Sequence, residues 1–101
     1  MITNREDFEA AVAATKNGKP LIITFTVSEN PCYLREKSQF AMDYYNLTVK
    51  EIDIKNNIEV AKEAQISCIP TMIVYKEGVE VERLESVTSL SLFSLMYKHR
   101  N

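Results

Sequence analysis

The chain has 101 residues, 46% hydrophobic and 26% charged, with a formal net charge of −2. That length suits one domain, over 1–101, with a core of its own, and the near-neutral balance gives no electrostatic footing for nucleic acid or an anionic membrane. The start Met1-Ile2-Thr3-Asn4-Arg5-Glu6-Asp7 has no apolar signal region, and the longest apolar run, Leu21 to Val27, is too short to cross a bilayer, so a cytoplasmic location is expected.

Asn4 reads as a helix N-cap, with Asp7 in the first turn where an acid suits the helix dipole. Phe8, Ala11, Val12 and Thr15 follow at helical spacing, and Gly18 and Pro20 end the helix. Leu21 to Val27 is rich in Ile, Thr, Phe and Val without polar alternation, the pattern of a strand buried on both faces. Pro31 suits the first turn of a second helix, in which Leu34, Ser38, Ala41 and Tyr45 recur, with Phe40 and Tyr44 beside them. Tyr44 and Tyr45 are expected half-buried.

Leu47 to Ile54 reads as a strand ending in Ile52-Asp53-Ile54. Asn56 or Asn57 can cap a short third helix carrying Val60, Ala64 and Ile66. Thr71 to Tyr75 and Val79 to Leu84 are strands joined through Glu77-Gly78, a hairpin signal. In the second of these, Glu80 and Glu82 alternate with Val79 and Val81, which suits a charged sheet edge. Thr88 can cap a last helix with Leu92, Phe93, Leu95 and Met96 apolar and Lys98, His99 and Arg100 at its carboxyl end. A short first strand at Met1 to Thr3 is also allowed. The predicted class is α/β: a mixed sheet of four or five strands flanked by four helices.

Three motifs stand in order along this frame. A buried strand runs into a helix through Glu29-Asn30-Pro31-Cys32; a strand ends in Ile52-Asp53-Ile54; and Ile69-Pro70-Thr71 opens the hairpin. In these features, and in the spacing from Cys32 to Pro70 to the hairpin, the chain resembles the thioredoxin family over nearly its whole length. The family has Cys-Gly-Pro-Cys at the first motif and a cis proline at the third. The resemblance implies the thioredoxin fold and an association with thiol–disulfide redox homeostasis, without a cofactor.

It also marks departures. The family's first cysteine falls on Glu29, the preceding tryptophan on Ser28, the buried aspartate that assists proton transfer on Thr24, and a groove glycine on Ser86. Disulfide reduction begins with thiolate attack to form a mixed disulfide, which a second thiol resolves. Glu29 cannot make that attack, and a carboxylate there disfavours a neighbouring thiolate. Cys32 holds the resolving position, so Glu29 and Cys32 together predict weak or absent dithiol turnover.

By the same resemblance, the backbone beside Pro70 is a docking edge for an extended peptide, with Asn30, Pro31, Ile69 and Thr71 around it. Cys68, two residues before Pro70, admits three readings: a small buried packing residue, an exposed thiol open to glutathione or intermolecular pairing, or a disulfide with Cys32. Two functions are therefore in view. One is a binding module for a protein partner. The other is a one-thiol redox protein forming mixed disulfides with glutathione or a thiol target through Cys32 or Cys68. A monomer is expected, or a dimer if Cys68 is exposed. No metal site is expected from two cysteines and one distant histidine, and His99 reads as a solvated helix end.

Overall fold

The structure, a computed structural model, describes residues 2–27, 39–40, 42–85 and 87–100. Glu29, Asn30, Pro31 and Cys32 lie outside the described residues, as do Ser28, Leu34, Ser38, Ala41 and Ser86.

The amino-terminal helix, Arg5–Ala13, starts where the sequence places its cap: the Asn4 side chain accepts from the Asp7 amide at 2.8 Å. It tightens into a 3-10 turn over Ala14–Asn17, and Gly18, at φ 93°, takes the left-handed conformation that closes it. β1, Leu21–Thr26, is buried at all six positions. Residues 39, 40 and 42–45 are helical.

β2, Thr48–Asp53, runs parallel to β1 with Leu21 opposite Thr48 and Thr26 opposite Asp53. It stops one residue before the expected end because the Asp53 carboxylate turns back to accept from the Lys55 amide at 2.9 Å. A 3-10 turn over Ile54–Asn56 and a short helix, Ile58–Glu63, follow. Asn57 precedes that helix but does not cap it with its side chain; its Nδ2 donates to the Asp53 carbonyl at 2.9 Å instead. The helix also ends earlier than the apolar spacing suggests. Gln65 is left-handed, at φ 57°, and the Ile66 amide reaches back to the Ala61 carbonyl.

β3, Thr71–Lys76, pairs antiparallel with β1, and β4, Val79–Leu84, pairs antiparallel with β3. The sheet order is β2-β1-β3-β4. Glu77 and Gly78 both have positive φ, the primed turn that matches strand twist. A Cβ on Gly78 would stand 3.2 Å from Cε of the flexible Lys16 side chain, which can give way, so it is the φ of 81° that calls for glycine here. Thr15 fastens the turn from below: its Oγ1 accepts from the Gly78 amide at 2.8 Å and its carbonyl from the Glu77 amide at 3.1 Å. The first strand allowed at the amino terminus is a single parallel bridge, Ile2 to Ile52.

The strands' alternation sends side chains into two cores. Ile22, Met72 and Val74 face Leu92, Leu95 and Met96 of the carboxy-terminal helix, Ser89–Lys98, which Thr88 caps as expected. Ile23, Phe25, Ile73 and Tyr75 face Phe8, Ala11 and Val12 of the first helix and Val60 of the short one. Tyr44 is 72% exposed, so the half-buried expectation holds for Tyr45 and not for Tyr44.

The edge strand departs from simple alternation. Tyr75 faces Glu80 while Val74 faces Glu82, so Val81 is an extra residue, a β-bulge. Val79 and Val81 are 58% and 48% exposed and enter neither core. The bulge puts Glu80 and Arg83 on the same side of the sheet, where Arg83 grips Glu80 with Nε at 3.0 Å and Nη2 at 2.8 Å. Glu82 goes to the other side, under the carboxy-terminal helix.

Candidate functional site

Sheet topology sets the carboxyl end of β1 beside the third motif. β1 is the strand that leads into Glu29–Cys32, and its antiparallel pairing with β3 ends at Phe25 opposite Thr71. Pro70 therefore leaves the ladder beside the carboxyl end of β1. The Ile69–Pro70 peptide bond is cis.

The loop around Pro70 combines a buried anchor with an exposed rim. Thr71 is fully buried, and its hydroxyl donates to the Cys68 carbonyl at 2.7 Å, closing the 68–71 turn on itself. Ile69 is 41% exposed, a large apolar side chain held outward by a short, internally bonded turn.

Cys68 is a free, exposed thiol, which overturns the packing reading. Its Sγ lies 3.2 Å from the Glu85 carbonyl oxygen and 3.6 Å from Thr71 Oγ1. Ser67 Oγ donates to Glu85 Oε2 at 3.3 Å, so the loop is tied on both sides to the residue that follows β4. Glu85 is the neighbour that sequence reasoning missed. It is 17 residues from Cys68, and no local pattern marks a contact that the β3–β4 hairpin creates.

Beneath this loop, Thr24 and Thr26 are buried on β1. Thr24 Oγ1 has no hydrogen-bond partner among the described residues. A buried hydroxyl without a partner is costly, and a neutral one has no charge to offer proton transfer.

His99 is not the solvated residue expected. Its side chain is 15% exposed, and Nε2 lies 2.7 Å from Glu82 Oε1, with Lys98 Nζ 3.1 Å from the same oxygen. The hydrogen bond from His99, then that from Lys98, holds the Glu82 carboxyl below the usual range. This cluster fastens the last helix to the edge strand and is remote in role from Pro70. On the opposite face, burial first and the Glu80 charge second push the Tyr75 phenol up to about 12. Among the described residues no group of three or more His, Cys, Asp or Glu could hold a metal ion, and no helix is long and apolar enough to cross a membrane.

The sheet order, the helices on both faces and the cis Ile69–Pro70 turn at the head of β3 form one pattern, and comparisons with known proteins recover it. The thioredoxin family model matches residues 1–98. The chain belongs to the thioredoxin family. It is 29% identical to a thioredoxin of Chlamydia trachomatis over 98% of this chain and 97% of that protein. It is 25% identical to a thioredoxin of Ictalurus punctatus over 99% of this chain and the whole of that one. The solution structure of oxidised thioredoxin from Plasmodium falciparum superposes with a TM-score of 0.84 at 20% identity, covering 99% of this chain and 96% of that one, a likeness of fold. Against these relatives, the thioredoxin fold expected from the three motifs stands.

Proposed function

We propose that this thioredoxin-family chain lacks the attacking thiol, at Glu29, and works by holding a protein partner at the surface beside Pro70. The observation that carries the reading is the built rim: a cis Ile69–Pro70 bond with Thr71 fully buried behind it and Ile69 exposed in front. A pre-formed backbone edge costs little ordering entropy when an extended peptide lies along it. Two features of the sequence favour binding over turnover. Glu29 stands where the family's nucleophile is, and the buried Thr24 stands where the family has its assisting carboxylate. By the family resemblance, Asn30 and Pro31 are the further residues proposed to meet the partner, in a cytoplasmic protein of one domain.

Reduction of insulin disulfides by the purified chain tests this directly. The expected rate equals the uncatalysed background. A rate close to that of an ordinary thioredoxin overturns the reading. Glu29→Cys, which returns a thiol to the family's position, is expected to raise the rate above background.

A second reading rests on a different observation, the free and exposed Cys68 on the same loop. Its thiolate attacks one sulfur of oxidised glutathione; the glutathione S–S bond breaks, a protein–glutathione disulfide forms, and a glutathione thiolate leaves. Cys32 is the other candidate thiol. Intact mass after thiol trapping, across reduced-to-oxidised glutathione buffers, separates the outcomes. One glutathione adduct supports the one-thiol reading, and peptide mapping assigns it. Loss of two protons with no adduct shows a Cys32–Cys68 disulfide. No change in either thiol removes the redox reading and leaves partner binding.

A further inference from the structure

Away from Pro70, the helical residues 40 and 42–45 and the carboxy-terminal helix share a continuous aromatic surface. Phe40 stacks on Tyr44 with centroids 5.1 Å apart and planes 10° from parallel. Phe40 also meets Tyr45 edge-on at 6.0 Å and Phe93 at 5.8 Å. Tyr45 continues the row to Tyr97 at 6.3 Å. The Arg100 guanidinium closes it, 3.9 Å above the Tyr97 ring, with Nη1 donating to the Tyr97 carbonyl at 2.6 Å. Among the described residues, cover is found on the inner side of this row. Tyr45 packs on the core, while Phe40 is 43%, Tyr44 72% and Tyr97 57% exposed, and Leu90, one turn before Phe93, is 82% exposed.

The three rings alone offer roughly 250–450 Å² of aromatic surface to solvent, the size of the largest apolar patch on an ordinary monomer. Rings held by one another lose little freedom on binding, which favours their use as contacts.

Charge selects the occupant. Among the described residues, the acid next to the Tyr44 end of the row along the chain is Asp43, which is exposed and accepts from Gln39 Nε2 at 3.1 Å. A base stands at the other end. Lys98 and His99 turn to Glu82, and among the described residues Arg100, over the Tyr97 ring, is that base. A surface with acid at one end and base at the other is complementary to its own copy turned end for end. We propose that this face is the interface of a weak, two-fold symmetric homodimer, with the aromatic rows packed together and each Asp43 set against the partner's Arg100. In such an arrangement the same patch serves both copies and each charge pair occurs twice. The exposed apolar area is roughly a third to a half of the ~800 Å² that each partner buries in a standard stable interface. The dimer is therefore reversible and populated only at high protein concentration.

Sedimentation equilibrium of the full chain in excess dithiothreitol, which removes any Cys68–Cys68 bridge, is the test. The weight-average mass is expected to climb from 11.6 kDa towards twice that value as concentration rises into the millimolar range. Tyr44→Ser abolishes the climb. Asp43→Arg or Arg100→Asp alone weakens dimerisation roughly tenfold, and the double variant D43R/R100D recovers it, because the pairs are restored with their signs exchanged. Circular dichroism confirms that each variant is folded. A chain that stays monomeric at every concentration overturns the proposal and leaves the face to a different protein. A dimer indifferent to Tyr44, Asp43 and Arg100 overturns it as well, since another surface then makes the contact. Neither result depends on the insulin or glutathione outcomes.

Discussion

β3 and β4 are neighbours of six residues each, joined by a two-residue turn and paired along their length, yet different forces hold them. Five of the six β3 residues are buried, with Met72, Ile73 and Val74 fully so. No residue of β4 is buried. β3 is placed by the removal of apolar surface from water on both of its faces. β4 is placed by the ladder it shares with β3, by Leu84 packed against the core at its end, and by polar side chains: Arg83 on one face, Glu82 on the other. The bulge at Val81 makes this division possible, because it lets Glu80 and Arg83 face the same way and sends Glu82 to the last helix. It also makes the edge a poor template for another strand. The lesson is that equal length and equal pairing do not mean equal stability. The inner strand answers to volume, and the edge, apart from Leu84, answers to charge.

The largest effect comes from the inner region. Phe25 lies in β1 opposite Thr71, fully buried, with Phe8 edge-on at 6.1 Å. Phe25→Ala is expected to cost about 3–5 kcal/mol in urea unfolding, since a cavity there has little room to collapse. A cost near 1 kcal/mol would mean that this core is loosely packed and that the contrast with the edge is false.

A middle effect is expected at Arg83. Besides Glu80, its guanidinium donates to the Ala64 and Gln65 carbonyls, where the 58–63 helix ends in a left-handed Gln65. Arg83→Ala leaves those carbonyls without their cationic donor and is expected to cost about 1–3 kcal/mol. Faster amide exchange in residues 61–66 would locate the damage. Exchange unchanged there would show that the helix end does not depend on the edge strand.

Acid should expose the edge next. The Arg83 hydrogen bonds lower the Glu80 carboxyl, and those of His99 and Lys98 lower that of Glu82. The folded carboxyls therefore bind protons less readily than the unfolded ones, and unfolding takes protons up. Their contribution is complete above the ordinary glutamate value of 4.5 and disappears as the pH falls through the lower folded value. Glu82→Gln should cost about 0.5 kcal/mol at neutral pH, a modest figure because the pair is partly solvated. Urea midpoints of the variant and the parent should converge below pH 4.5. A gap that persists in acid would assign the effect to packing.

The smallest effect belongs to the bulge residue. Val81 is 48% exposed and enters neither core, so Val81→Thr should change stability by less than about 0.5 kcal/mol. A loss well above that would show that the edge is held by apolar contact after all.

Much of this molecule is written in short-range patterns. Asn4 and Thr88 cap the helices they precede, the run from Leu21 is a buried strand, and Glu77-Gly78 makes the hairpin turn, because each depends on residues a few positions apart. The limits of local reading are equally physical. Asn57 has the chemistry of a cap but finds a better acceptor in the Asp53 carbonyl. His99 resembles a solvated helix end until the last helix is laid across β4 beside Glu82. The choice between a buried and an exposed Cys68 turns on the 68–71 loop and on Glu85, which the hairpin brings alongside from 17 residues away. Of the candidate site, Ile69, Pro70 and Thr71 were legible as a motif, while Glu29, Asn30, Pro31 and Cys32 are known here from the sequence alone. The order of apolar, capping and turn residues determined the elements and the family pattern, since those follow from spacing along the chain. Which strand became the bulged edge, which side chains met across the sheet and which aromatic faces stayed uncovered were decided only by tertiary packing, since each requires residues far apart in sequence to arrive at one place.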